Sequence, residues 1–333
     1  MLLALFLLFA ATPGFEESFR AGLLALQRND LNGAAANLGA AAKLEPNNGR
    51  VWVALAQTYW KLKESGKADD AAAKAATLGS GDPLVLSSLV IYYSESGQLL
   101  KAAEAQAKYA VAVPSDHAAR EMAESRYFEA TQPLLQQGKF AEAIAILNQA
   151  RERLKKSAQL ELALGVAYYG LRRFDDAAGA FLRTIAIAPE VEQPYQFLGK
   201  FLDQIPGRLP EVTRQFINYE TAHPASSTGY LLHAKALNAQ SIEIDAARKL
   251  LEKAISLNDR DPSGHFELGA VLDRTHHYPE AAREFERAAE LDPTDPATHY
   301  RLSRVYDRLG KTDAARTERE LHAKLVEAQQ SAR

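Results

Sequence analysis

A residue of small or modest size recurs at nearly constant spacing within the apolar stretches of this chain. The positions in register are Gly22, Ala56, Val90, Thr131, Gly165, Gly199, Ala234, Gly269 and Ser303. Successive positions are 34 or 35 residues apart, except for one step of 41 residues between Val90 and Thr131. A unit of this length cannot bury its own apolar face, so such units must stack on one another. The spacing therefore predicts an array of repeats rather than a fold around one central core.

A second series of residues, mostly alanines, follows the first and predicts two helices in each unit. Its members are Ala34, Ala71, Ala102, Ala143, Ala177, Val212, Ala247, Ala281 and Ala315. Polar or glycine-containing segments separate the two series, and prolines such as Pro46, Pro189 and Pro293 end the amphipathic stretches. Because proline cannot continue a helix and is tolerated at the start of the next, each unit is predicted to be helix, turn, helix, turn.

Composition supports an all-α chain and excludes several kinds of site. Hydrophobic residues make up 47% and charged residues 24% of the 333 residues, which is typical of a globular protein. The formal net charge of -3 does not resemble the basic surface of a nucleic-acid-binding protein, so no nucleic-acid partner is expected. The chain has no cysteine, which excludes disulfides, thiolate metal sites and cysteine nucleophiles.

Two stretches match a known repeat pattern almost in full. The matching residues of the first are Leu164, Gly165, Tyr168, Ala177, Phe181 and Pro189, and those of the second are Leu268, Gly269, Leu272, Ala281, Phe285 and Pro293. This pattern resembles the tetratricopeptide repeat. The resemblance covers roughly residues 15–325. It implies a right-handed α-α superhelix of about nine helix-turn-helix repeats, with the first helix of each repeat on the concave wall.

The repeats predict the organisation of the chain. Residues 15–116 are predicted to form repeats one to three, residues 117–123 an insertion between repeats, residues 124–325 repeats four to nine with a C-terminal capping helix, and residues 326–333 a tail. The seven extra residues at the 41-residue step are the strongest candidate for a bend or a junction between subdomains.

Residues 1–14 contain an apolar run that has the length of the hydrophobic part of a signal peptide. The run is too short to span a bilayer as a mature helix, so no integral membrane span is expected in the mature chain. It lacks a preceding Lys or Arg, and its cleavage site is poor. Export is expected, with a periplasmic or secreted location. The alternative is a hydrophobic helix that caps the first repeat of a cytoplasmic protein.

The sequence contains no phosphate-binding loop, zinc-protease motif or serine-hydrolase motif. Asp259, Asp261 and Ser263 resemble the start of a calcium loop, but Ala270 stands where a bidentate Glu is needed. His265 and His299 are 34 residues apart, at the position where the repeat pattern has Trp, and are interpreted as packing residues. The acidic pairs Glu16–Glu17, Asp69–Asp70 and Asp175–Asp176 are each predicted at a helix start, where the helix dipole favours negative charge.

The resemblance implies that a partner binds to the first helix of each repeat, on the concave wall. Transferred to this sequence, the candidate peptide-binding residues are Arg50, Gln57, Trp60, Phe128, Tyr169, Lys200, Lys235, Phe266, Tyr300, Arg301 and Arg304. Aromatic rings among cations and amides provide stacking area and hydrogen bonds for a peptide. The alternative is that these residues are ordinary solvated helix residues. The asparagines of the clamp with which some relatives hold a terminal carboxylate are missing.

We therefore expect a non-catalytic scaffold that needs no cofactor and binds protein or peptide partners in its groove. An alternative is an accessory subunit that positions a separate enzyme in envelope assembly, secretion or glycosyl transfer. A third hypothesis is a metal-dependent activity at the C-terminal histidines.

Overall fold

The computed structural model describes residues 14–331, and in that range the chain consists of helices and turns with no β-strand. The all-α prediction is confirmed, and the eighteen α-helices follow one another as nine pairs. The first five pairs are α1 Phe15–Gln27 and α2 Leu31–Leu44, α3 Gly49–Lys61 and α4 Ser65–Leu78, α5 Pro83–Glu95 and α6 Leu99–Ala112, α7 His117–Gln136 and α8 Phe140–Arg153, and α9 Ala158–Gly170 and α10 Phe174–Ile187. The remaining four are α11 Gln193–Leu198 and α12 Leu209–Ala222, α13 Ser227–Gln240 and α14 Ile244–Leu257, α15 Pro262–Arg274 and α16 Tyr278–Leu291, and α17 Pro296–Arg308 and α18 Thr312–Ser331.

Two compact units divide the chain, and the first ends at Arg172 while the second begins at Arg173. The first unit contains α1 to α9 and the second α10 to α18. Residues 117–123, which account for the 41-residue step, form the first turns of α7, a helix of 20 residues. In the second unit the sixth pair is unusual, because α11 has only six residues and two short 3-10 helices, Leu202–Gln204 and Pro206–Arg208, connect it to α12.

Local capping explains where many of the first helices begin. An Asn, Asp or Ser precedes these helices, and its side chain accepts a hydrogen bond from a backbone N–H of the first turn. The capping residues are Asn48, Asp82, Asp116, Ser157, Asp261 and Asp295. Asp261 belongs to the segment that resembles a calcium loop, so capping accounts for this carboxylate without a metal ion.

A residue with positive φ follows the first helix in most pairs and turns the chain towards the second helix. The residues are Asn29, Lys63, Gly97, Gly138, Arg172, Ser241, His276 and Gly310, with φ between 56° and 73°. This left-handed conformation is unfavourable for residues that carry a Cβ. Glycine at three of these turns removes that cost.

A small residue of the first helix packs closely against a bulky residue of the second. A Cβ built on Gly269 would lie 2.9 Å from the ring of Phe285, and one built on Gly22 would lie 2.6 Å from Leu38. In six of the nine pairs a bulky residue comes four positions after the member of the second series. These residues, Leu38, Leu147, Phe181, Phe216, Leu251 and Phe285, are all fully buried. The predicted repeat pattern is therefore the packing pattern of the core.

The acidic pairs differ in their environment. Glu16 and Glu17 lie in the first turn of α1, and Asp175 and Asp176 in that of α10, as predicted. The prediction for Asp69 and Asp70 was wrong, because both residues lie beyond the first turn of α4. The Asp69 carboxylate accepts hydrogen bonds from Tyr92 Oη at 2.7 Å and from Gln98 Nε2 at 2.8 Å, and these bonds lower the pKa of Asp69.

Replacing Gly97 by alanine should destabilise the third pair by about 1 kcal/mol, because the site has open space but a φ of 73°. Replacing Gly39 by alanine is a matched control, because Gly39 also has open space but lies inside α2. There the added methyl group should stabilise the helix by about 0.5–1 kcal/mol. Hydrogen exchange of the α5–α6 and α1–α2 amides measures both effects. Equal changes in the two variants would contradict this account of the turn.

Candidate binding cleft

The second unit contains a cleft of about 780 Å³, called here the unit-2 cleft. Its walls are the segment after α11 and the first helices of the last three pairs, α13, α15 and α17. The lining residues are Gly199, Lys200, Leu202, Asp203, Lys235, Asn238, Ala239, Ser241, Phe266, Glu267, Ala270, Asp273, Arg274, His276, Arg301, Arg304 and Arg308. The first helices α13, α15 and α17 thus supply most of this surface.

The repeat register places cations in the cleft. Ala234 and Ser303 belong to the small-residue series and are buried within their pairs. The next residue along an α-helix is rotated by about 100°, so it leaves the buried face. Lys235 and Arg304 occupy this next position and line the cleft.

Positive charge dominates the cleft. Six Lys and Arg residues line it against three carboxylates, which leaves a surplus of three positive charges. Two carboxylates are already paired: Glu267 lies 3.2 Å from Lys235 Nζ, and Asp273 forms an ion pair with Arg308.

Three cations of the cleft remain available to a ligand. Lys200, Arg301 and Arg304 are exposed and have no acidic partner among residues 14–331. Arg274 differs from them, because it donates a hydrogen bond to the Asn238 carbonyl at 3.2 Å. The side chains of Lys200, Arg301 and Arg304 therefore have neither an ion pair nor a hydrogen bond among residues 14–331. Arg274 keeps its charge but is held by a carbonyl.

Phe266 contributes apolar surface in the middle of the cleft. Its ring is half-buried and packs edge-to-face on Phe285, with centroids 5.7 Å apart. Because Phe285 is fully buried, the contact holds Phe266 against the core of its own pair. The cleft therefore combines an aromatic ring packed on the core with exposed cationic side chains.

The structure brings five of the predicted residues together, namely Lys200, Lys235, Phe266, Arg301 and Arg304. Tyr300 does not line the cleft, although it occupies the same repeat position as Phe266. Its ring lies 5.4 Å from that of His322 on α18, and Arg304 lies 5.9 Å from its centre.

The other predicted residues belong to the first unit and do not line this cleft. Arg50 forms an ion pair with Asp82 at 2.6 Å, and Trp60 packs edge-to-face on Tyr92. Gln57, Phe128 and Tyr169 are half-buried on α3, α7 and α9. A role for these residues in binding stays a prediction.

Sequence reasoning did not select Arg274 and Arg308. They are 34 residues apart and are the last residues of α15 and α17. This spacing equals the repeat period, so it could have indicated that the two arginines occupy equivalent positions in adjacent repeats. Their place at the rim of the cleft follows from the stacking of successive pairs.

Comparison with known proteins agrees with this packing. One tetratricopeptide repeat model matches residues 19–83 and 133–192, and a second matches residues 274–318. Together these ranges make up just over half of the chain. The chain belongs to the tetratricopeptide repeat family.

Similar proteins include intraflagellar transport protein 70A of Xenopus tropicalis, which is 27% identical over 169 residues. The match covers 50% of this chain and 25% of that protein. Intraflagellar transport protein 70A1 of Mus musculus is 26% identical over 159 residues, which cover 46% of this chain and 24% of the relative. The chain thus matches about a quarter of the length of these relatives.

Two solved structures are similar to this chain. PilW, a widely conserved type IV pilus biogenesis factor, has a TM-score of 0.50 and 17% identity, with 60% of this chain and 92% of PilW covered. PilF of Pseudomonas aeruginosa has a TM-score of 0.47 and 20% identity, with 60% and 90% covered. At these identities the likeness concerns the fold alone.

No helix between residues 14 and 331 is both long and apolar enough to cross a lipid bilayer. Residues 1–13, which carry most of the predicted signal segment, lie outside the described range.

His265 and His299 lie near the start of their first helices, at the position where the tetratricopeptide pattern has a bulky residue. Both are buried, as expected of packing residues. His265 Nδ1 lies 2.8 Å from Glu284 Oε2, and its Nε2 lies 3.2 Å from the carbonyl oxygen of Asp259. His299 has the same two contacts, with Glu318 at 2.6 Å and the carbonyl of Pro293 at 3.1 Å. Each ring thus connects the second helix of its pair to the preceding turn.

Other pairs of this tetratricopeptide chain form the same contact with the preceding turn. Trp52 Nε1 donates to the carbonyl of Pro46 at 2.7 Å, and Tyr195 Oη donates to that of Pro189 at 3.0 Å. Tyr230 Oη donates to the carbonyl of Pro224 at 3.3 Å. Donor and acceptor are six residues apart in every case. Tyr230, His265 and His299 therefore fix the starts of α13, α15 and α17, the helices that line the cleft, through hydrogen bonds to the preceding turns.

Replacing His299 by phenylalanine should destabilise the last pair by about 1–3 kcal/mol. The phenyl ring nearly retains the shape of the imidazole, but the Pro293 carbonyl and the Glu318 carboxylate lose their partner. Tyr230→Phe is the matched control, because it removes a longer and more exposed hydrogen bond and should change stability by less than about 1 kcal/mol. Hydrogen exchange of α13 to α18 measures both variants. If His299→Phe has no larger effect than the control, the ring acts by packing alone.

Proposed function

We propose that this chain is a non-catalytic scaffold that binds a protein or peptide partner in the unit-2 cleft. The observation that carries the proposal is the combination of three available cations, Lys200, Arg301 and Arg304, with the ring of Phe266 in one cleft. Aromatic and arginine side chains dominate the energetics of protein interfaces. Family membership supports the proposal, because stacked repeats offer an extended surface rather than an enclosed active site.

The charge pattern of the cleft supports binding rather than catalysis. Acid–base catalysis commonly uses two carboxylates whose environments differ. Here Glu267 and Asp273 are held by Lys235 and Arg308, and Asp203 is the remaining carboxylate of the lining. This arrangement orders the cleft walls and leaves cations exposed to a partner.

Two further parts of the proposal concern the whole chain. We assign residues 15–116 to repeats one to three and residues 124–325 to repeats four to nine. We also propose an exported, periplasmic or secreted protein, on the basis of the apolar run in residues 1–14.

Selection of a displayed random-peptide library on the full chain tests the function. Peptides recovered on the wild type should lose affinity by roughly tenfold or more for the double variant Arg301→Ala and Arg304→Ala, because charge-assisted hydrogen bonds are removed. The matched control is Arg248→Ala with Arg283→Ala, two exposed arginines of α14 and α16 outside the cleft lining.

Circular dichroism of each variant verifies that the helices are retained. Peptides that bind the wild type and both double variants equally well would show that the unit-2 cleft is not the binding site. Failure to recover any binding peptide would contradict the proposal itself.

A further inference from the structure

We infer that the partner segment of the unit-2 cleft is an acidic, extended stretch of polypeptide that lies within a chain and needs no terminal carboxylate. The inference rests on the binding function proposed above and specifies its ligand. The whole chain has a net charge of -3, whereas the cleft lining has a surplus of three positive charges. Complementary potentials steer and orient partners at interfaces.

The free cations lie at the two ends of the cleft rather than in one cluster. The segments α11, α13, α15 and α17 contact one another in that order. Lys200 follows α11 at one end, and Arg301 and Arg304 lie on α17 at the other. Between them, Lys235 of α13 is neutralised by Glu267 of α15, and Arg274 at the end of α15 is held by the carbonyl of Asn238. A single terminal carboxylate could reach only one of these ends, whereas carboxylates spread along a segment can reach both.

The α17 end is the stronger of the two anion-binding ends. Arg301 and Arg304 are three residues apart, so they share one face of the helix and can hold neighbouring carboxylates. At the other end, the exposed carboxylate of Asp203 lies three positions after Lys200 and offsets part of its charge. Acidic residues of the partner should therefore contribute most where they meet α17.

The helix spacing sets the length of the segment. Packed helices lie about 8–10 Å apart, so four of them in a row span roughly 25–30 Å. An extended chain covers about 3.3 Å per residue, which corresponds to about eight or nine residues. Phe266 on α15 lies between the charged ends and offers its ring to an apolar side chain of the partner. The inferred ligand has acidic residues at both ends and an apolar residue between them.

The experiment measures fluorescence anisotropy of the full chain with a labelled, C-terminally amidated peptide that has glutamates at both ends and one central phenylalanine. The wild type should bind it, and binding should weaken as salt rises, because exposed charges are screened. Replacing the glutamates by glutamines should reduce affinity by roughly a hundredfold, on the basis of about tenfold for each charged contact at the α17 end.

A charge swap makes the test specific. The double variant Arg301→Glu and Arg304→Glu should lose roughly a hundredfold in affinity for the glutamate peptide and gain affinity for a version with lysine in place of glutamate. Arg248→Glu with Arg283→Glu changes the net charge equally, outside the cleft lining, and should alter affinity by less than about threefold. Lys200→Glu should have a smaller effect than the α17 variant.

Several results would overturn the inference while leaving the binding function in place. Glutamine and glutamate peptides that bind equally well, while peptides from the library still need Arg301 and Arg304, would show a cleft without preference for acids. Binding of the glutamate peptide only when its terminal carboxylate is free would exclude an internal segment. Tighter binding of a single-stranded oligonucleotide, lost in the α17 variant, would assign the cleft to a nucleic acid instead.

Discussion

In the first and eighth helix pairs, the packing depends on a close contact between a glycine of the first helix and a bulky residue of the second. At Gly269 there is no room for a Cβ beside Phe285, and Gly22 lies equally close to Leu38. Close packing of this kind gains dispersion energy only while the two backbones stay near each other. The contact therefore fixes the rotation of these first helices about their own axes, and that rotation decides which residues face away from the second helix.

One consequence is the direction of the residue that follows each small residue. Ser303 is buried within its pair, so Arg304 projects away from the second helix and into the unit-2 cleft. The helices also need a fixed start, and the hydrogen bonds of His265 and His299 to the preceding turns provide it. Packing and hydrogen bonding thus position the cleft walls independently of any ligand, which lowers the entropic cost of binding.

Some charged side chains of the cleft are paired with one another, whereas others are exposed and free to contact a ligand. The ion pairs Lys235–Glu267 and Arg308–Asp273 connect neighbouring first helices of the array. Because they are partly screened by solvent, they contribute modestly to stability and mainly fix the positions of the side chains. Arg301 and Arg304 have no such partner among the described residues, and they define where an acidic ligand would be held.

The sequence alone determined the fold class, the two helices of each unit and the buried positions. The period, the burial of Phe181 and Phe285, and the packing role of His265 and His299 all follow from local spacing, because equivalent positions in successive repeats make equivalent contacts.

Only the tertiary structure decided which candidates share one cleft. Phe266 and Tyr300 hold the same repeat position, yet Phe266 lines the cleft beside the next pair, while Tyr300, in the last pair, lies against His322 of the capping helix. The pairing of Lys235 and Arg308 with carboxylates is likewise invisible in the spacing. A repeat pattern specifies what each position does within its own pair, whereas the cleft and its free charges arise from contacts between different pairs.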